Sequence, residues 1–407
     1  MRNGIYIVTL LLLAILIIFG QFNQIPANID RDEVAFIRLS KSLTDKPYVM
    51  HSPLETGHST LYFYILAGSF RLFGDNLLAL RLPAAIFGVI NGLLIYLIFS
   101  YLFKKDLGFI LVLVFITLRW QFNFARFSYE ATFLLFLELI SLYCLVITIK
   151  TRTKLSALLT GVFAGFAFHS YTPGRIFFII PLIVLFLDKK NRGLIRYYLL
   201  GSMALIIPLV LNLLQHPESR IASEFLFGSN NLDLIGKIIA FFENFIKNIG
   251  MLFINGDMNG RHNYPGKPAL NPILSVMFLI GILFAIKDKK NIFNRIFLIY
   301  FVCSLLPTLF TLPSGNPNML RTYTMIPSVV YFVGITLSVI ARTPLRGGRS
   351  NLVKLILLMA ILSSSLYELR TYFKFQKEVT RYSFEVRKNF DWLKQRNYEL
   401  KDDWYRY

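Results

Sequence analysis

Charge is scarce in this sequence: Asp, Glu, Lys and Arg make up only 16% of its 407 residues, against 55% hydrophobic. That balance exceeds the apolar surface a soluble domain of this length buries in one core, so lipid is the expected solvent. Cysteine is scarcer still. Cys144 and Cys303 both fall inside apolar runs, so neither supports a disulfide or metal site or reports the redox compartment. The sequence also lacks a Gly-rich phosphate loop, a nucleophile elbow and a zinc-protease motif, which leaves soluble nucleotide chemistry without support. No soluble domain, internal repeat or low-complexity segment stands out. No small-residue cleavage site follows the apolar run after Met1-Arg2-Asn3, so it reads as a retained first helix and not a signal peptide.

What is present is a series of apolar runs of roughly spanning length: 4–20, 82–103, 107–118, 131–149, 155–168, 176–187, 197–214, 272–286, 296–312, 323–341 and 355–369. They predict an all-α polytopic membrane protein with about eleven transmembrane helices. The net charge of +20 does not signal nucleic acid, because the basic residues concentrate in every second short loop. Lys104-Lys105, then Lys150, Arg152 and Lys154, then Lys189, Lys190, Arg192 and Arg196 mark the first three such loops. Two more follow at Lys287 to Arg295 and Arg342 to Lys354. This alternation places the N-terminus in the cytoplasm and puts the loops 21–81, 119–130, 169–175, 215–271 and 313–322 outside a multi-pass cell membrane. The expected organisation is one membrane domain over 1–370 with long outer loops at 21–81 and 215–271, and a short outer tail at 371–407. Amphipathic helices in the outer interface are expected at 33–43 and at 234–252, where Leu234, Ile238, Phe241, Phe245, Ile249 and Leu252 recur at helical spacing.

Polar and ionisable residues gather on that outer face. Asp30, Asp32 and Glu33 follow the first span, and three close carboxylates raise at least one pKa, which suits a general base. The same cluster also reads as an N-cap stabilising the helix that follows, and the two readings are compatible. Arg126 and Glu130, then His169, Tyr171 and Arg175, then Asp257, Arg261 and His262, and finally Arg321 extend the set. Ionisable groups at helix ends facing a cavity are functional candidates by default, although Arg126 and Arg175 also suit headgroup contacts. His51, Glu55 and His58 raise a divalent-metal site, against which Pro53 and Gly57 break the helix such spacing needs.

In their order along the chain these residues resemble the membrane glycosyltransferases of the GT-C fold, in the family 39-like branch related to protein O-mannosyltransferases and lipid A aminoarabinose transferases. The resemblance is carried by Asp32-Glu33, Leu72-Phe73-Gly74-Asp75-Asn76, Leu80-Arg81-Leu82-Pro83, Phe124-Ala125-Arg126-Phe127 with Glu130, and Ser170-Tyr171 with Arg175. Gly256-Asp257, Arg261-His262-Asn263, Pro265-Gly266 and Leu320-Arg321-Thr322 complete it. It implies a sugar donor on a polyprenyl or dolichyl phosphate and a lipid, glycan or protein acceptor. It also implies transfer on the outer face, with inversion expected from a single displacement. It implies Asp32 as base, with Glu33 beside it. The leaving phosphate needs cationic stabilisation, for which Arg321 and Arg261 come first and Arg126 and Arg175 after them. Glu130 matches a second acidic position that orients the acceptor, pairs with Arg126 or helps hold a metal. No cofactor is required by the resemblance, and a divalent metal stays open because 51–58 departs from the family's Lys-Pro-Pro type of stretch. A transporter or lipid flippase is the alternative from another class; Glu138 is the one charged residue near the middle of a span.

Overall fold

A computed structural model describes residues 2–26, 28–44, 47–54, 57–218, 223–228, 232–342 and 349–384. Each of the eleven apolar runs falls on helix. Among the described residues six helical segments are long and apolar enough to cross a membrane, and several others, such as Lys154–Phe168 and Pro272–Lys287, are apolar but shorter. The protein is therefore an all-α polytopic membrane protein, in which some of the eleven expected spans are helices shorter than 18 residues.

Helix α1 (Arg2–Phe19) leads to α2 (Arg31–Ser42). Two short antiparallel strands, β1 (His51–Ser52) and β2 (His58–Ser59), precede α3 (Leu61–Phe73), a helix absent from the sequence expectations, which held 21–81 as one loop. The bundle continues through α4 (Leu77–Leu102), α5 (Lys105–Thr117), the short α6 (Arg119–Phe124) and α7 (Ala131–Thr151). Asn76 starts α4 by accepting a hydrogen bond from the Ala79 amide at 2.8 Å. Helix α8 (Lys154–Phe168) and α10 (Ile195–Gln215), with α9 (Ile179–Leu187) between them in sequence, form a close pair. A Cβ on Gly161 would stand 2.1 Å from the Tyr198 carbonyl and one on Gly201 2.4 Å from that of Leu158. Small residues at both faces let these backbones touch, the usual device for packing helices where lipid gives no hydrophobic drive.

Helix α11 (Leu234–Phe253) is the amphipathic helix expected in the second outer loop, but its faces are reversed relative to a soluble protein. Asn244 and Asn248 are buried, while Ile235, Ile239, Phe242 and Ile246 are between 59% and 70% exposed. Asn244 donates to the carbonyls of Leu309 and Thr311 at 3.1 and 2.6 Å, so its polar side is satisfied inside the protein. Helices α12 (Pro272–Lys287), α13 (Ile292–Leu309) and α14 (Ile326–Arg342) follow, then α15 (Arg349–Arg370). No break separates α15 from what comes after it. Helical structure runs on through Thr371–Gln376 into α16 (Lys377–Ser383), where Tyr372 is buried against Phe122, and Phe384 beyond it against Phe127.

Glu138, in α7, is buried and accepts a hydrogen bond from the Tyr300 hydroxyl of α13 at 2.5 Å. That pairing accounts for a carboxyl at membrane depth without a transport path.

Candidate active site

The site is built around the start of α2. The Asp30 amide donates to Glu33 Oε2 at 3.1 Å, the reciprocal contact of a capping box three residues apart. Adjacent residues on a helix point about 100° apart, so Asp32 and Glu33 cannot share a direction. Glu33 turns inward: it is 0% exposed and receives both Nε and Nη2 of Arg81 at 2.8 Å. It also accepts the Ser128 amide at 2.9 Å. Arg81 further donates to the carbonyls of Pro26 and Asn28 at 2.6 and 2.7 Å. This placement turns Glu33, expected as a catalytic partner, onto Arg81 and not into the cavity that Asp32 lines. Its lone pairs are engaged, and it clamps the approach to α2 and so fixes the phase at which Asp32 leaves it.

Asp32 turns outward, with a side chain 47% exposed at the wall of a cavity of about 390 Å³. It accepts a hydrogen bond from the Tyr129 hydroxyl and lies 3.1 Å from Arg261 Nη1. The same guanidinium nitrogen reaches Asp30 at 2.6 Å. Burial, with the Asp32 charge beside it, pushes the Asp30 carboxyl up to about 7 against the pull of Arg261. The carboxyl of the cluster with the raised pKa is thus Asp30, through burial first and the neighbouring Asp32 charge second.

The loop 256–266 faces this acidic start. Asp257 accepts the amides of Asn259 and Met319, each at 2.8 Å, and stands 2.8 Å from His262 Nδ1. Burial works against its charge, but His262 and these amides outweigh burial and hold the carboxyl below its usual range. Asp257 thereby joins the loop that carries Arg261 and His262 to the loop that carries Arg321. Arg321 lines the cavity and donates to Glu224 Oε2 at 2.7 Å. Glu130 lines it too, with His58 Nδ1 at 2.9 Å, so its partner is His58 and not Arg126.

Two further spaces adjoin the main cavity. One, of about 280 Å³, shares Tyr171, Glu224 and Arg321 with it and is otherwise mostly apolar, lined by Pro173, Ile176, Phe225, Phe227 and Pro307. The other, of about 450 Å³, shares Asp32 and Arg261 and is walled by Asp30, Arg31, Asn259 and Ser383. Asp32 thus stands between two polar spaces, and Arg321 between a polar and an apolar one.

The remaining expected residues are placed as follows. Arg126 is fully buried and donates to the carbonyls of Ile17, Ile18, Gly20 and Ile25 at 2.6 to 3.0 Å, closing the C-terminal end of α1. It does not line the cavity. His169 gives Nε2 to the Leu205 carbonyl at 2.7 Å and holds α8 to α10. Arg175 makes a two-point contact with Glu218 at 2.9 and 2.6 Å and lines the apolar space. His51 Nε2 also lies 3.1 Å from Glu218. Burial opposes the charge on Glu218, but hydrogen bonds from His51 and Arg175 prevail and hold its carboxyl at about 2.

In the strand pair His51 opposes Ser59 and His58 opposes Ser52, so the two histidines point to opposite faces. Each meets a different carboxylate. Glu55 lies outside the described residues. Among the described residues no group of three His, Cys, Asp or Glu side chains is placed to hold a metal ion. The donor set of His51 and His58 does not fit a shared ion.

Sequence reasoning missed Tyr129, Glu224 and Ser383. Tyr129 sits within the stretch 126–130 that was singled out, and its hydroxyl is the partner of Asp32. Glu224 and Ser383 lie in segments with no motif.

Residues 57–214 match the family model described as dolichyl-phosphate-mannose-protein mannosyltransferase. No curated protein matches the chain. Among solved structures, the apo oligosaccharyltransferase of Archaeoglobus fulgidus is similar, with a TM-score of 0.61 at 13% identity over 98% of this chain and 58% of that one. ArnT from Cupriavidus metallidurans in the apo state is similar with a TM-score of 0.61 at 11% identity, over 94% of this chain and 78% of that one. The same ArnT bound to undecaprenyl phosphate matches with a TM-score of 0.59 at 10% identity, over 94% of this chain and 77% of that one. This chain thus spans 58% of the length of the archaeal enzyme it matches.

Proposed function

We propose that this chain, which has the GT-C fold, is a membrane glycosyltransferase that moves a sugar from a polyprenyl- or dolichyl-phosphate donor to a hydroxyl on the outer face of the membrane. One observation carries the reading. A half-exposed carboxylate, Asp32, shares a polar cavity with Arg321, and past Arg321 the space becomes apolar. A lipid phosphate sugar has that same sequence of chemistry: an apolar chain, an anion, a polar ring.

In this reading the apolar space lined by Ile176, Phe225 and Phe227 takes the isoprenoid end. Arg321 takes the phosphate by exchanging its contact with Glu224 for one with a phosphate oxygen. The sugar fills the cavity between Arg321 and Asp32. The acceptor arrives through the space walled by Ser383 and Asn259, on the other side of Asp32. Asp32 takes the proton of the acceptor hydroxyl as its oxygen bonds the anomeric carbon. The bond from that carbon to the phosphate oxygen breaks, its electron pair stays on the phosphate, and Arg321 balances the new charge. Attack and departure from opposite sides give inversion in one displacement. Arg261 and Tyr129 hold Asp32 toward the cavity. The complex of ArnT with undecaprenyl phosphate, and that of the archaeal enzyme AglB with an inhibitory peptide and a dolichol-phosphate, support a lipid phosphate on this fold. Acceptors of lipid, glycan or protein type all remain compatible with the open polar side.

The test is reconstituted protein given undecaprenyl- and dolichyl-phosphate-linked sugars together with membrane extract as acceptor. Release of free lipid phosphate with a glycosylated product supports the reading, and movement of the lipid across the bilayer with no product contradicts it.

A further inference from the structure

One buried ring nitrogen of a residue that lines the cavity stands without a hydrogen-bond partner among the described residues. His262 has a side chain only 5% exposed, packs its ring 5.5 Å from that of Phe124, and lines the same cavity as Asp32. Its Nδ1 faces Asp257 Oδ2 at 2.8 Å. Asp257 already accepts two backbone amides and has no proton to give, so Nδ1 must be the donor in that contact. The tautomer is thereby fixed, and Nε2 of the neutral ring presents a lone pair. Among the described residues that buried nitrogen has no hydrogen-bond partner. A desolvated acceptor left alone is costly, so the ligand of this cavity is expected to bring the donor.

The chemistry of that donor follows from the charge around it. Phosphate oxygens are acceptors only and suit Arg261 and Arg321, whose guanidinium groups line the same cavity. A lone pair repels such an oxygen and attracts a hydroxyl. We infer that His262 is a specificity-determining residue, whose Nε2 accepts a hydrogen bond from one hydroxyl of the sugar held in the cavity. Asp257 is the positioning residue that sets the tautomer. The inference rests on the glycosyltransferase reading above and adds to it a preference: a donor carrying that hydroxyl is used, and its deoxy counterpart is not. A site built to pair a hydroxyl leaves its own buried group unpaired when the hydroxyl is missing, and discrimination of roughly ten- to a hundredfold follows.

The experiment uses the full chain in detergent with undecaprenyl-phosphate-linked mannose, glucose, galactose and arabinose, each with its singly deoxygenated counterparts. His262→Asn keeps a donor toward Asp257 and carries nothing at the Nε2 position, while His262→Gln places an amide near that position. Wild type is expected to lose roughly ten- to a hundredfold in kcat/KM for one deoxy position of the sugar it uses. His262→Asn is expected to use the parent and that deoxy donor about equally, and His262→Gln to restore part of the preference. His262→Leu, with the same expected loss of preference, serves if His262→Asn does not fold. Equal use of all deoxy donors by wild type, or an unchanged preference in His262→Asn or His262→Leu, overturns the inference while leaving the glycosyltransferase reading intact. Wild type that consumes none of the parent donors overturns that reading and the inference with it.

Discussion

Three carboxylates within four positions have three different fates. Asp32 lines the cavity beside Tyr129 and Arg261, Asp30 is buried against Arg261, and Glu33 is locked to Arg81. Removing one partner of the last pair leaves a buried charge uncompensated. Arg81→Met is therefore expected to cost about 3–5 kcal/mol in stability, read as a fall in unfolding temperature and in yield of folded protein. Normal folding of that variant with a selective loss of turnover would return Glu33 to the catalytic group. Asp30 gives a pH signature. Its folded pKa of about 7 lies above the ordinary 3.8, so between these values the folded state holds more protons than the unfolded one. Its contribution to stability therefore falls as pH rises through that window. The gap in Tm between wild type and Asp30→Asn should shrink or reverse from about pH 5 to about pH 8, and a widening gap contradicts the assignment. At the other wall, Arg321→Ala should raise the donor KM roughly ten- to a hundredfold, and Glu224→Gln, which removes the resident counter-ion, should lower it. The acidic cluster was legible in the sequence as chemistry. Which carboxylate faces inward was not, because that depends on the rotation of α2 against Arg81, 48 positions away.

At the scale of elements, most helices were legible because apolar length is a direct signal in lipid. Helix α3 was missed for the same reason: at 13 residues it is shorter than a span and sat inside a segment read as loop. The continuation of α15 past Arg370 was missed because its polar residues end the apolar run while its backbone carries on. Helix α11 was found by its periodicity, yet which face meets the protein was not. The buried asparagines decide it, and they leave Ile239, Phe242 and Ile246 outward, where only hydrocarbon or another apolar surface stabilises them. A fluorophore on Phe242→Cys should be quenched by nitroxide on lipid acyl chains, whereas one on Met258→Cys, 69% exposed in the polar loop, should answer to a water-soluble quencher. Equal quenching of both by the water-soluble agent would remove α11 from the interface.

For the whole molecule, the alternation of basic loops predicts an orientation in which five separate loops share one side. The structure brings residues from these loops, Asp32, Glu130, Tyr171, Arg261 and Arg321, around one cavity, so the grouping of these residues was legible in the sequence. Arg126, His169 and Arg175 were not separable from it by sequence, since each spends its polar atoms on contacts made only in the fold. Impermeant thiol reagent on intact cells should label Met258→Cys and spare Gly193→Cys, whose added side chain meets nothing within 4 Å in the basic loop before α10. The reverse pattern would invert the topology. The account as a whole rests on Asp32 as the base of a transfer from lipid phosphate. Its most direct test is the rate at which wild type and Asp32→Asn release free undecaprenyl phosphate from undecaprenyl-phosphate-linked sugar in the presence of acceptor. The account predicts a drop of about 10²–10⁴-fold in turnover with donor binding retained. Near-equal turnover in the two proteins would contradict it.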